Sequence, residues 1–377
     1  GITDEPGAAL LLDQSNPVAT RRAMLFLRPL NPEVEKWDGY RETIGAALRA
    51  ACGIEAVFRT NLLPRMLGEA VKRSKRVACL HPLAAYTAPV SSDLDVFQKL
   101  AQRVPGLSIE DRSELLPQLR SVKSAAELEM IRRAISITAV GFAEAMRTVR
   151  PGLNEFDVQE TIEHAYRSNG ARALAFRTIA GAGFNSTVLH YHANDQELRD
   201  GDLVCIDSGA RFGGYAADIT RTVPVSGTFT PRQREVYEIV LKAMKAAIAA
   251  AKEGVRNSDI DKAARDVIKR AGYGDYFIHG IGHHLGLETH DANPDMPLKA
   301  GSVMTIEPGI YIPEERIGIR IEDDIVIGRR GATVLSEAIP READDIERAM
   351  AGAGSTPGPG SAAKPVRKPA PKRKRKA

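Results

Sequence analysis

Apolar and polar positions alternate with a period of two along residues 203–212 and again along 215–225, and Gly213-Gly214 stands between the two runs. That period puts successive side chains on opposite faces of an extended strand, and Gly-Gly suits the two-residue turn of a hairpin. Apolar-rich runs at 303–312 and 317–327 flank Pro313-Glu314-Glu315-Arg316 and predict a second hairpin. Other stretches follow the helical spacing: one from Ser124 through AAELEMIRRAISITAVGFAEAMRTV, then 154–169, 231–252 and 258–271. Asn154 and Ser258 suit N-cap positions, and Thr230 precedes a proline at the first helical position. Helices interleaved with antiparallel hairpins predict an α+β domain. Residues 1–114 instead place short apolar runs (AALLL, AMLFL, RVACL) among helical stretches at 40–52 and 64–73, which predicts a smaller α/β layer domain. A division near Pro117-Gln118 gives domains at 1–117 and 118–350. No internal sequence repeat is legible.

Strand register turns this pattern into chemistry. If Phe212 pairs with Tyr215, Asp207 sits opposite Thr220, and Asp218 lies two residues along on the same face. Diagonal neighbours of this kind are roughly 7–8 Å apart at the backbone. Val204, Ile206, Ile219 and Val223 occupy the other face, so burial fixes the register as well as the turn does. In the second hairpin, pairing Ile312 with Ile317 sets Glu307 directly across from Glu322. Arg320, Glu322 and Asp324 share one face there, and Ile317, Ile319 and Ile321 the other. Two glutamates face to face repel and destabilise a sheet unless a cation lies between them. A solitary strand acid is ordinarily a solvated outer-face residue; two hairpins that each gather acids are not explained that way.

Five of the eight histidines, His190, His279, His283, His284 and His290, fall in or near these segments. His279 and His283 are four apart, but Gly280, Gly282 and Gly286 disfavour a regular helix there. Glycines in this position suit a backbone that comes close to a ligand or a neighbouring strand. Spacing alone does not choose the metal-binding histidine. Oxygen-rich ligation with one imidazole suits Mn²⁺, Co²⁺ or Zn²⁺. Four carboxylates and one histidine are too many ligands for a single catalytic zinc with an open position. They fit two ions about 3.5–4 Å apart, an arrangement that activates water and polarises a carbonyl.

The segments IDSGARFGGYAADITRT, HGIGHHLGLETHD, TIEPGIYI and IRIEDDIVI resemble those of the pita-bread-fold metallopeptidases of family M24, most closely the Xaa-Pro aminopeptidases (aminopeptidase P). The resemblance runs from about Leu115 to Ile346 and is strengthened by RDGDLVCIDSGARFGGYAADITRTVPVSGTFTPRQREVYEIVL. It continues more weakly over residues 1–114, which look like most of that family's creatinase/prolidase-like N-terminal domain. Carried over residue by residue, it implies that Asp207 binds one divalent ion, His283 and Glu307 the other, and that Asp218 and Glu322 bridge them. Mn²⁺ is the implied metal, with Co²⁺ and Zn²⁺ as alternatives. Glu307 is the implied general base toward a bridging hydroxide that attacks the scissile carbonyl. His190 and His290 resemble the substrate-pocket histidines of the catalytic site, and His279 one that assists proton movement. Tyr311 and Arg320 match positions near the metal pair, Tyr311 toward substrate and Arg320 steadying a ligand carboxylate by a charge-assisted bond. The implied reaction releases the N-terminal residue from a peptide with proline second, by a homo-oligomer (dimer or tetramer). An Xaa-Pro bond is a tertiary amide with a fixed φ, which excludes it from most peptidase sites and calls for a dedicated pocket.

Rival readings differ at identifiable features. Prolidase, an Xaa-Pro dipeptidase, uses the same ligands but must recognise a free carboxylate. Methionine aminopeptidases usually lack a large N-terminal domain of this kind. A non-catalytic binding module and a metal-free creatinase-like enzyme typically lose metal ligands, and all five are intact here.

The end of the chain departs from its body and from the usual family pattern. Residues 351–377 are rich in Gly, Pro, Ser and Ala and close on KPVRKPAPKRKRKA, with eight basic residues and no acid. Without those eight, 44 basic residues face 48 acids, a net charge of −4 against +4 for the whole chain. Such a segment is predicted to be a disordered extension with weak affinity for polyanions or nucleic acid. Cys52, Cys79 and Cys205 show no metal or disulfide spacing, which points to the cytoplasm. Cys205 shares a strand face with Asp207 and reads as buried packing. No run approaches the ~18 apolar residues of a membrane span. The opening GITDEPGAALLL reads like the middle of a domain, so part of an N-terminus is expected to be missing. Trp37, in EKWDGYRE, reads either as a partly buried packing residue or as one lining a neighbouring subunit's active site.

Overall fold

The computed structural model describes residues 5–81, 89–294 and 296–352. From residue 353 on, the expected disordered extension lies outside the described residues, as does the opening tetrapeptide.

The apolar runs of the first part are strands. Ala9–Leu12 pairs antiparallel with Ala23–Leu27, which pairs parallel with Ala56–Arg59, and Arg76–Cys79 pairs parallel with Ser108–Asp111. Parallel partners need a crossover connection. Helices Pro32–Asp38 and Ala46–Cys52 fill the first and Ser92–Ala101 lies within the second. Met24 and Phe26 are buried on the face covered by Leu63–Ser74, and Leu25, Leu27 and Val57 on the other face, with Leu48 of Ala46–Cys52. The helix expected from residue 40 begins at Ala46. Pro32–Asp38, Ser92–Ala101 and Leu115–Ser121 are helices that the periodicity did not signal; the last runs through Pro117-Gln118. Trp37 corrects one expectation, being 87 % exposed rather than half-buried. Its helix has seven residues and buries only Glu35.

In the second part Ala125–Thr148 packs on Glu155–Ser168, and Pro231–Ala250 on Asn257–Arg270. Ser124, Asn154 and Thr230 each close a reciprocal capping box, which satisfies otherwise orphaned N–H groups. Ser258 is not a cap: the fourth helix starts one residue earlier, after Arg256. The helices cover the apolar faces of the hairpins, and Val204, Ile206, Ile219 and Val223 are fully buried in one continuous core with Ile162, Tyr166, Tyr237 and Ile319.

Both hairpins adopt the predicted register. Phe212 faces Tyr215, Asp207 faces Thr220, and Ile312 faces Ile317. Gly213 and Gly214 turn the first with φ of +58° and +90°, values that a side chain would strain. Each ladder nevertheless opens in the middle without losing register. Leu203–Ser208 with Ile219–Pro224 is separated from Ala210–Phe212 with Tyr215–Ala216. Val303–Ile306 with Asp323–Ile327 is separated from Gly309–Ile312 with Ile317–Arg320, so Glu307 and Glu322 fall in the gap. In the first gap Ala210 N–H turns to the Thr138 hydroxyl at 3.0 Å. Gly209 leaves room for the chain opposite, where any Cβ would overlap the Ala217 carbonyl oxygen.

The two hairpins meet edge to edge at their gaps. Glu322 N–H donates to the Thr220 carbonyl at 3.1 Å. The Thr222 hydroxyl donates to the Arg320 carbonyl and accepts from Arg320 N–H at 3.0 and 3.1 Å. Fully buried Arg221 completes the seam, donating to the carbonyls of Glu322, Ile339 and Pro340 and pairing with Asp323 at 2.7 Å.

Gly209→Ala forces the Ala217 carbonyl to move, an overpacking cost on the order of 1–3 kcal/mol. The midpoint of thermal unfolding, followed by circular dichroism, is expected to fall by roughly 2–12 °C. An unchanged midpoint would show that the gap has slack.

Candidate metal centre

The gaps of the two hairpins open on a cavity of ≈ 660 Å³. Asp207 and Asp218 come from the first hairpin, Glu307 and Glu322 from the second, and His283 from the glycine-rich segment between them. That segment is not helical, as its glycines predicted. Its backbone lies against the Val303–Ile306 strand, so closely that a Cβ at Gly282 would overlap the Thr305 carbonyl oxygen. His283 N–H donates to the Thr305 hydroxyl at 3.1 Å, which itself reaches Glu307 at 3.3 Å.

The five residues converge. His283 Nε2 lies 3.4 Å from Asp218 Oδ2 and 3.5 Å from Glu307 Oε1. Its Nδ1 is 3.1 Å from the His284 carbonyl, so the proton sits on Nδ1 and the Nε2 lone pair faces the acids. Asp218, His283 and Glu322 each offer a ligand atom within 4.8 Å of the others. Glu322 accepts from the Thr220 hydroxyl at 2.6 Å, and Asp218 N–H donates to Asp324 at 3.2 Å. Arg320 donates to Asp207 at 2.8 Å, to the Thr220 hydroxyl at 3.1 Å and to the Tyr311 hydroxyl at 3.0 Å. The Tyr311 hydroxyl in turn donates to His279 Nε2 at 2.8 Å, whose Nδ1–H is satisfied by the Gly280 carbonyl.

Burial governs the protonation of this cluster. It pushes Glu307 up to about 7, reinforced by Asp207, and raises Asp218 and Glu322 well above their ordinary values, reinforced at Asp218 by Glu322 and at Glu322 by Glu307 and Asp207. Asp324 is raised for the same reason. Burial also lowers His279 and His283 to about 4, so both imidazoles are neutral at pH 7. Neutral imidazole beside crowded carboxylates is the donor set of a divalent cation site. One oxygen each of Asp207 and Asp324 is buried without a hydrogen-bond partner among the described residues, which fits acceptors waiting for a cation.

His190 and His290 line the same cavity; the His290 ring lies 4.0 Å from that of His283, centroid to centroid. Two expected residues sit elsewhere. Tyr311 is behind the wall, linking Arg320 to His279, and does not line the cavity. His284 turns away, bridging to Met304 beside a separate small recess. Conversely, the sequence reading missed His192, which stacks on His190 and lines the cavity. Alternation in His190-Tyr191-His192 was its available signal. It also missed Glu155, fully buried, whose carboxylate gathers Ala182 N–H, Asn185, Tyr191 and Gln196 N–H within 2.7–3.0 Å and so fixes the loop that carries both histidines. Nothing in the spacing of Glu155, the first residue of a helix, announced that contact.

The pKa shifts set opposing pH trends for protein stripped of metal. Carboxyls raised on folding stabilise below their unfolded pKa and lose that contribution as pH climbs through the folded value; for Glu307 the window runs from 4.5 to about 7. Histidines lowered on folding act in the opposite sense, but only below 6.5. From pH 6.5 upward only the acids remain, so metal-free protein is expected to lose stability toward pH 8. Added Mn²⁺ is expected to raise the unfolding temperature more at pH 8 than at pH 6. Scanning fluorimetry on chelator-treated and reloaded protein checks this, and an increment independent of pH would contradict it.

The model of metallopeptidase family M24 matches residues 129–329, and that of the aminopeptidase P N-terminal domain matches residues 1–79. The Xaa-Pro aminopeptidase of Haemophilus influenzae is 35 % identical over 387 residues, covering 92 % of this chain and 85 % of its own. The Xaa-Pro dipeptidase of Pyrococcus furiosus is 42 % identical, over 59 % of this chain and 65 % of its own. Among solved structures, aminopeptidase PepP of Pseudomonas aeruginosa superposes with a TM-score of 0.81 at 32 % identity, over 93 % of this chain and 86 % of that one. The predicted α+β pita-bread architecture with an α/β domain before it is therefore present, and the chain belongs to metallopeptidase family M24 as a metallo-aminopeptidase of the Xaa-Pro aminopeptidase (aminopeptidase P) type.

Proposed function

We propose that this protein uses two divalent metal ions to release the N-terminal residue from peptides with proline in the second position. The observation that carries the reading is the convergence of Asp207, Asp218, His283, Glu307 and Glu322 on one cavity. Likeness to the Xaa-Pro aminopeptidase of Haemophilus influenzae supports the proline preference. When bound, the ions, foremost Mn²⁺ with Co²⁺ or Zn²⁺ as alternatives, supply Lewis acidity toward the scissile carbonyl and a water of lowered pKa. Asp207 would hold one ion, His283 and Glu307 the other, and Asp218 and Glu322 would reach both.

The chain's own groups divide the remaining work. Glu307, poised near neutrality, suits the role of general base, since efficient proton acceptance needs a pKa near the working pH. His279 would assist proton movement from the donor side, since its Nδ1, which carries the ring proton, lies 4.0 Å from Glu307 Oε2. Tyr311 acts through His279 rather than on substrate, since its hydroxyl donates to His279 Nε2. Arg320 fixes Asp207 by a charge-assisted bond. His190 and His290 face the peptide across the cavity.

Several assignments belong to the same proposal. They are the domain division at 1–117 and 118–350, the cytoplasm as compartment, a dimer or tetramer and a weak polyanion contact by the basic tail. Three free cysteines support the compartment, and the exposed ring of Trp37 offers a surface to a second subunit. No helix among the described residues is long and apolar enough to cross a membrane. Xaa-Pro dipeptidase is the second reading, favoured by the likeness to the Pyrococcus furiosus enzyme.

Asp218→Ala removes a carboxylate proposed to reach both ions. Metal-ion stabilisation of a transition state amounts to several kcal/mol, so kcat/KM is expected to fall below about a tenth of the wild-type value even with excess Mn²⁺. Greater residual activity would defeat the two-ion arrangement. Hydrolysis of Gly-Pro-Ala and Gly-Pro, measured side by side with a chelated control, tests the substrate class. Cleavage of the tripeptide alone is expected, and a preference for the dipeptide would transfer the assignment to dipeptidase.

A further inference from the structure

Two arginines line the cavity, and only one is engaged. Arg320 is committed to Asp207, Thr220 and Tyr311. The side chain of Arg211 makes no hydrogen bond or ion pair among the described residues, and its Nε is buried without a partner. A guanidinium is charged at every physiological pH and presents a fork of donors matched to a carboxylate. Leaving a buried donor of this kind unsatisfied costs free energy, which an arriving acceptor recovers.

Its position is set by the hairpin. Arg211 pairs with Ala216 in the register that pairs Asp207 with Thr220, so Asp207, Gly209 and Arg211 lie on one face by alternation. Four residues of strand separate the backbone of Arg211 from that of Asp207 by roughly 13 Å, and a long side chain leaning along the strand shortens the gap. An extended peptide covers about 3.3–3.6 Å per residue. A substrate whose scissile carbonyl lies at the acids therefore places a carboxylate near Arg211 when it ends two to three residues further on.

We propose that Arg211 is a specificity-determining residue that recognises a carboxylate of the substrate beyond the scissile bond, and that this carboxylate is the free C-terminus of short peptides. The inference rests on the Xaa-Pro aminopeptidase reading. An acidic side chain on the third residue would present the same chemistry.

The test uses full-length, Mn²⁺-loaded protein and four peptides. Gly-Pro-Ala is compared with its C-terminal amide, and Gly-Pro-Glu-amide with Gly-Pro-Gln-amide. Hydrogen bonds to charged groups imply a preference of about tenfold or more in kcat/KM for the free acid over its amide, expressed in KM. In Arg211→Gln the ratio is expected to collapse to about one, and Arg211→Lys is expected to keep part of it. A tenfold preference for the Glu peptide over the Gln peptide, lost in Arg211→Gln, would support carboxylate recognition but move its source to the side chain. Wild-type ratios near one in both pairs, or ratios that survive Arg211→Gln, would overturn the proposal. Calorimetric binding of Pro-Ala and Pro-Ala-amide gives the same ratio without turnover. Failure to hydrolyse any of the four peptides then counts against the aminopeptidase reading alone, while the binding ratio still decides Arg211.

Discussion

Four carboxylates share one buried cavity, and their mutual repulsion is the constraint around which the rest of the second domain is built. Two like charges 4 Å apart cost about 4 kcal/mol at an effective dielectric of 20, and four acids make several such pairs. The Arg320–Asp207 pair offsets one acid only. Hydroxyls of Thr220 and Thr305 add donors to Glu322 and Glu307, yet the acids still take up protons at unusually high pH. A cluster that binds protons this readily when alone is one that divalent cations can discharge. The centre is thus a source of instability in metal-free protein and of stability once filled.

Keeping such a cluster in place requires a frame that does not yield to it. The ladders open where the acids fall, which removes main-chain hydrogen bonds from the point of greatest stress. Side chains restore them across the seam. Thr222 bonds twice to the backbone of Arg320, and Arg221 supplies donors to four carbonyls, three of them across the seam, while Asp323, paired also with Arg341, holds its charge. A buried ion pair of this kind is weak evidence for stability by itself. Its evident contribution here is orientation, since it fixes the strand on which Glu322 stands.

Much of this was legible because a hairpin's register propagates. One turn at Gly213-Gly214 and one at 313–316 determined which residue faced which, and alternation then put Asp207 with Asp218 and Glu307 with Glu322. The openings in the ladders were not legible. They depend on contacts from outside the hairpin, such as Thr138 of a helix dozens of residues earlier. Nor did spacing reveal Glu155 or the retreat of Tyr311 behind His279, because long-range packing decides where a loop or a ring points. Short helices such as Pro32–Asp38 escaped for a related reason: with one buried residue they carry almost no periodic signal.

Gly318 touches the turn that precedes His190. Its N–H donates to the Ser186 hydroxyl at 2.8 Å, and no side chain fits between them. The histidine wall and the Arg320 hairpin are therefore seated on each other as one rigid piece, with Glu155 clasping the far side of the loop. A displaced main chain here would move Arg320, and with it the bond that holds Asp207. Drift in specificity must then proceed by exchanging side chains that face the cavity while the scaffold beneath them stands still.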